Sequence, residues 1–140
     1  LKVISIDPSS IKPAYCIAEG HLIQEFGQLP LHPLSAWINL MSDCDMMIME
    51  SQFFKVNISS LIKLTKSVGM IESIAYINDM QVIEIYPITW QSKLLGKHKR
   101  DALKKLSKLR ASETTKTKIK SNDIADAINI AEYYYKFIEG

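Results

Sequence analysis

Two short apolar runs, each ending on an acid, constrain this chain most. Val3 to Ile6 (VISI) closes on Asp7, and Met46 to Met49 (MMIM) closes on Glu50. The second run has no polar alternation, which suits a central strand buried on both faces under flanking helices. Two further acids, Asp123 and Asp126, lie three apart in SNDIADAINIAEYY and so share one face of a helix. Two strand ends and one helix face can bring four carboxylates to a single point. Such a point repels itself unless divalent cations fill it, so the pattern reads as a two-metal phosphodiester site.

The rest of the chain supplies the matching frame. Residues 2–7 read as a strand, Pro8-Ser9-Ser10 as a turn, and residues 14–19 and 22–28 as two strands around Gly20-His21, a hairpin signal. Pro30 and Pro33 break the chain before a helix over about 33–43, with Leu34, Trp37, Ile38 and Met41 on one face. Residues 45–50 form the next strand. Asn57 to Met80 is a long helical pattern, with Gly69 inside it placed for close packing. Gln81 to Tyr86 is a strand, and Pro87 opens a short helix ending at Gly96. Lys99 to Ala111 reads as a basic amphipathic helix with Leu103, Leu106 and Leu109 inward; Ser112 to Lys120 reads as a polar loop. Ser121 or Asn122 caps a last helix reaching about Ile138. The order β-β-β-α-β-α-β-α-α-α predicts an α/β fold: a mixed five-stranded sheet, three antiparallel strands then parallel ones, flanked by helices. Its 140 residues fit a single domain over 1–140, with no repeat or linker to divide it.

Charge is distributed unevenly. The net charge is +2, yet between Lys93 and Lys120 the acids are Asp101 and Glu113 alone, against a dense series of lysines and arginines. Beside an acidic site, such a stretch suits a polyphosphate backbone: cations hold the phosphates while carboxylates hold metals. On charge alone, a solvated basic helix explains it equally well. Phe53 and Phe54 follow the Glu50 strand and divide into one buried ring and one exposed to stack on bases. Tyr133, Tyr134, Tyr135, Trp37 and Trp90 read as core or helix surface. Cys16 and Cys44 read as buried reduced thiols, which with the absence of a signal-like or membrane-spanning apolar run makes a cytoplasmic protein the expectation. No Cys/His cluster suggests zinc.

Four stretches, in register, carry a resemblance: ISIDPSS (Ile4 to Ser10), IMESQFF (Ile48 to Phe54), YPITWQSKLLGKHKRDAL (Tyr86 to Leu103) and NDIADAINIA (Asn122 to Ala131). Together they resemble the RuvC family of Holliday junction resolvases, within the ribonuclease-H-like superfamily, and the short chain is similar to phage-encoded members. Ser9 departs from the family's usual glycine after Asp-Pro. A ribonuclease H proper carries its glutamate on the first helix, whereas Glu50 ends a strand, which favours the resolvase branch.

The resemblance implies a structure-selective endodeoxyribonuclease that resolves four-way junction DNA by paired symmetric nicks. It also implies a homodimer, because two nicks require two sites related by a two-fold axis. The long helix from Asn57 to Met80, apolar on more than one face, is the expected interface. Two Mg²⁺ ions roughly 4 Å apart suit the in-line displacement, with Mn²⁺ an expected substitute. Asp7, Glu50, Asp123 and Asp126 are the expected ligands. Lys93, Lys97 and Lys99 are candidates for the lysine beside the scissile phosphate; Lys93 and Lys99 match the family best, and Lys99 is assigned the catalytic role. Phe53, Lys93, Lys97, Lys99, Arg100 and Lys104 are the expected DNA contacts. No branch-migration partner is implied by any residue. Two other readings stand beside this one: a related nuclease for other branched DNA or RNA–DNA hybrids, and a non-catalytic nucleic-acid-binding module on the same fold. Asp7 before Pro8 is equally a turn starter, Glu50 a strand-end charge, and Asp123 and Asp126 acids favoured by a helix N-terminus.

Overall fold

A computed structural model describes residues 1–51 and 57–139 of the protein. The segment carrying Phe53 and Phe54 lies outside the described residues, and with it the expectation about those rings. The elements run β1 (Lys2–Asp7), β2 (Ala14–Glu19), β3 (Leu22–Gln28), α1 (Leu34–Met41), β4 (Met46–Glu50), α2 (Ile58–Ile77), β5 (Gln81–Ile85), α3 (Pro87–Leu94), α4 (Arg100–Thr115) and α5 (Asn122–Tyr133). A π-helical segment, Tyr134–Glu139, continues α5. The sheet order is β3-β2-β1-β4-β5, with β1, β2 and β3 antiparallel and β4 and β5 added in parallel. The mixed sheet expected from the order of elements is therefore present.

Alternation along β1 and β4 divides the core. Ile4, Ile6, Met47 and Met49 point to the face covered by α1 and α2, where Trp37, Met41, Ile71, Ile74 and Ala75 are buried. Val3, Met46 and Ile48 point to the opposite face, under α5 and Trp90 of α3. Asp7 and Glu50 are in phase with this second set, so both carboxylates emerge on the α5 side. Ser5, fully buried between Val3 and Asp7, donates its hydroxyl to the Ala127 carbonyl at 2.5 Å. That bond seats α5 on the strand that carries Asp7.

Local rules account for the junctions. Gly20 (φ 55°) and His21 (φ 72°) both take the left-handed conformation, as the tight hairpin between β2 and β3 requires. Asn57 and Ser121 cap α2 and α5 by accepting from the Ser60 and Ile124 backbone N–H groups. The family's glycine after Asp-Pro is not needed. Ser9 has no positive φ; its hydroxyl accepts from Ile11 and Lys12 N–H, and its carbonyl accepts from Ser67 of α2 at 2.6 Å.

Three expectations change. Helix α4 runs on to Thr115 rather than stopping at Ala111, and within it Ser112, Thr114 and Thr115 return their hydroxyls to carbonyls four residues back. Leu109 faces solvent, while Ser107 and Ala111 form the buried stripe of that helix. Two helices in close contact leave room only for small side chains between them. Gly69 is also not a packing glycine: a Cβ there would meet nothing within 4 Å.

The five aromatics assigned to the core or helix surface, Trp37, Trp90 and Tyr133 to Tyr135, are all buried. Both cysteines are buried and free. No described helix is long and apolar enough to cross a membrane.

Arg110 is a basic residue that packing withdraws from the surface charge. Its guanidinium makes a two-pronged pair with Glu132, Nε to Oε2 at 3.0 Å and Nη2 to Oε1 at 2.8 Å, tying α4 to α5. Burial would raise the Glu132 pKa, but the hydrogen bonds from Arg110 and Lys136 outweigh it and hold the pKa below the usual value. Arg110→Ala is expected to cost about 2 kcal/mol of stability in urea unfolding, since charged hydrogen bonds are lost and Glu132 keeps weaker partners.

Candidate active site

The register of the two central strands builds the site. Ile6 pairs with Met49 in the parallel β1–β4 ladder, so Asp7 and Glu50 are neighbours at the carboxyl ends of adjacent strands. Both are nearly buried, at 7% and 6% exposure. Asp126 is half-buried on α5 above them, and Asp123, a turn nearer the helix start, is exposed.

The acids act on one another. Asp7 has its pKa raised well above the carboxylate norm, first by burial, then by the charges of Glu50, Asp126 and Asp123, and by a hydrogen bond with Asp123. Asp126 is pushed up to about 7: burial dominates, Ser107 opposes by hydrogen bonding, Glu50 and Asp123 raise it further, and Lys104 lowers it. Asp7 and Asp126 thus each sense the charges of neighbouring acids.

Three of the acids are also held by neutral donors. The Trp90 indole N–H donates to Glu50 Oε2 at 2.6 Å. Ser107 Oγ donates to Asp126 Oδ1 at 2.6 Å, and Asn122 Nδ2 reaches the same oxygen at 3.3 Å. Gln28, at the end of β3, donates to Asp123 Oδ2 at 3.5 Å and accepts from Ser121 at 3.2 Å. Sequence reasoning missed Trp90, Ser107 and Gln28 as site residues. Trp90 looked like core because its ring is core; that its N–H faces Glu50 depends on the packing of α3. Ser107 and Gln28 had no sequence signal, being a small polar residue on a basic helix and the last residue of an edge strand.

Among the described residues, no three acids, histidines or cysteines stand close enough to grip a metal ion together. The donor chemistry nonetheless fits a hard divalent cation. All four groups offer oxygen, two are nearly buried, and burial with mutual repulsion has raised the pKa of Asp7 and Asp126. Holding a cation among them would require the acids to draw closer.

The basic residues of this stretch lie at the surface. Lys97, Lys99, Arg100 and Lys104 are all exposed, between the end of α3 and the first turns of α4. Lys99 stands at the N-cap of α4. Lys104, one turn on, is near enough to Asp126 to favour its charged form. Lys93 is also exposed but sits over the Phe137 ring, 5.9 Å from its centre.

Comparison with known proteins is sharp in structure and silent in sequence. No protein-family model and no curated protein sequence matches the chain. Among solved structures, Thermus thermophilus RuvC in complex with Holliday junction substrate superposes with a TM-score of 0.80 at 14% identity, over 99% of this chain and 96% of that one. Thermus thermophilus RuvC in a separate structure gives 0.73 at 16%, covering 96% and 95%. The fowlpox virus resolvase with its substrate Holliday junction DNA gives 0.66 at 22%, covering 97% of each chain. Over essentially its full described length, the chain therefore has the ribonuclease-H-like fold of the RuvC-type Holliday junction resolvases.

Proposed function

We propose that the protein is a divalent-metal-dependent endonuclease that resolves four-way DNA junctions, with Asp7, Glu50, Asp123 and Asp126 as its metal ligands. The placing of Glu50, Asp126 and Asp123 around the buried Asp7, close enough for their charges to act on it, carries this reading. Mg²⁺ is the proposed ion, two per site, with Mn²⁺ able to replace it. When bound, the ions would polarise the scissile phosphate and make water a competent nucleophile near neutral pH.

The chain's own residues prepare that step. Asp7, rigid at the end of a central strand, offers ligand oxygens from a fixed position. Glu50 is oriented by the Trp90 indole, and Asp126 by Ser107. The exposed Lys97, Lys99, Arg100 and Lys104 track the phosphate backbone in this reading. Lys99 is the proposed partner of the developing charge at the phosphate. Phe53 and Lys93 complete the proposed DNA contacts.

Two symmetric nicks call for two copies of the site, so the proposed active form is a homodimer of single-domain subunits. The supporting surface is on α2. Ile58, Ile62 and Tyr76 are 76%, 51% and 60% exposed on one helical stripe, and the adjacent Ile77 is 81% exposed. Ile62→Asp is expected to convert a dimer to a monomer in sedimentation.

The test of the activity uses labelled four-way junction, nicked duplex and RNA–DNA hybrid, each with Mg²⁺ or EDTA. Paired, metal-dependent cuts in the junction alone support the proposal. Cutting of the hybrid in preference would move the chain to a different nuclease class, and binding without cutting in any metal would reduce it to a binding module.

A further inference from the structure

We propose that Asn129 and Ser107 form a relay that fixes the orientation of Asp126 and leaves its second oxygen, Oδ2, facing a divalent cation. The inference rests on the metal-site reading above and assigns positioning roles to two residues outside the acidic cluster.

Asn129 is the first observation. It is completely buried on α5, among Ala127, Ile128, Ile130 and Ala131, all buried apolar residues. Its Oδ1 has no hydrogen-bond partner. A buried amide with an orphaned carbonyl is a costly choice where alanine or leucine would fill the helix contact. Its other end is fully used: Nδ2 donates to the Ser107 carbonyl at 3.0 Å and to Ser107 Oγ at 2.9 Å.

The behaviour of Ser107 is the second. Thr65, Ser73, Ser112, Thr114 and Thr115 sit inside helices and each donates to the carbonyl four residues back, at 2.7 to 2.9 Å. That is the default for a helical hydroxyl. Like Ser67, which donates to the Ser9 carbonyl, Ser107 departs from it. Its hydroxyl leaves the helix and donates to Asp126 Oδ1 on α5 at 2.6 Å.

The two observations fix the direction of the chain of bonds. Ser107 has one hydroxyl proton, and Asp126 takes it. The oxygen lone pair must then receive a donor, which Asn129 Nδ2 supplies. Turning the amide over would set Oδ1 against the Ser107 carbonyl, lone pair to lone pair. The order is therefore Asn129 N–H to Ser107 Oγ–H to Asp126 Oδ1. Asn122 Nδ2 adds to the same oxygen at 3.3 Å. With these bonds gathered on Oδ1, Oδ2 is the oxygen presented to a ligand.

The experiment measures Mn²⁺ binding to the metal-free protein by calorimetry, together with Mg²⁺ dependence of junction cleavage and urea unfolding. Ser107→Ala and Asn129→Leu are each expected to weaken Mn²⁺ binding by roughly tenfold to a hundredfold, as loss of a ligand's supporting partner does. The double variant is expected to bind as S107A does, because the links act in series. Ser107→Thr, which keeps the hydroxyl, is expected to recover most of the affinity. A helix staple alone would lower the urea midpoint in N129L and leave Mn²⁺ affinity unchanged, and that result overturns the relay. S107A removes one oxygen and keeps a good helix former, so unchanged affinity in that variant overturns it even where N129L does not fold. Absence of Mn²⁺ binding by the wild-type protein would instead overturn the metal-site reading, and the relay with it.

Discussion

Replacing Asp7 by asparagine is expected to lower junction cleavage by at least about a thousandfold in single-turnover experiments, equivalent to about 4 kcal/mol of barrier. Asparagine keeps the shape and loses the charge that the proposed metal ligand would supply. Junction affinity in EDTA is expected to stay at the wild-type level or rise, since the change removes a negative charge facing phosphate. The stability readout has the opposite sign. Asp7 is nearly buried beside three other acids, and its pKa is raised first by burial and then by those charges. Ionising it in the metal-free fold is unfavourable, and the amide escapes that cost. D7N should therefore melt several degrees higher than wild type in EDTA at neutral pH, while losing the stabilisation that Mg²⁺ gives the wild type. A variant that still cuts at near wild-type rate would remove Asp7 from the chemistry. A variant that neither binds junction nor melts cooperatively would say that the residue is needed for the fold.

The same electrostatics predict an unusual pH profile for the metal-free protein. Asp126 has a folded-state pKa of about 7, raised mainly by burial, and Asp7 is also raised well above normal. A carboxyl group whose pKa is raised on folding binds its proton more tightly in the folded state. Between the ordinary carboxylate range and pH 7, the folded state therefore holds more protons than the unfolded one, and stability falls as pH rises. In EDTA the melting temperature should decline from about pH 5 to pH 8, the reverse of acid denaturation. At the proposed metal site, divalent cations would compete with those protons for the same oxygens. Mg²⁺ should therefore raise the melting temperature more at pH 8 than at pH 5, and cleavage should climb over the same interval. A profile that is flat in EDTA and indifferent to Mg²⁺ would mean that the acids are already neutralised by other means.

Much of this was legible without coordinates because strand chemistry is local. VISI and MMIM could be read as central strands, and the strand boundaries at Ala14, Glu19, Leu22 and Gln28 follow from apolar runs and one glycine turn. What failed to read were contacts between elements. Leu109 has the spacing of an inward residue, yet the inner stripe of α4 is Ser107 and Ala111. Arg110 looked like one more cation in a basic stretch, and a glutamate a full helix away claimed it.

The acids themselves divide along the same line. The chain alone determined that Asp7 and Glu50 close apolar strands and that Asp123 and Asp126 share a helix face, because these are matters of period and position. Only the tertiary structure decided that β1 and β4 are adjacent and parallel in a register that makes Asp7 and Glu50 neighbours. It also decided that Ser5 seats α5 so that Asp126 meets them, and that Trp90 and Ser107 hold two of the acids in place. Periodicity is set within a few residues of chain, whereas these hydrogen bonds join residues from 19 to 122 apart, and no local rule reaches that far.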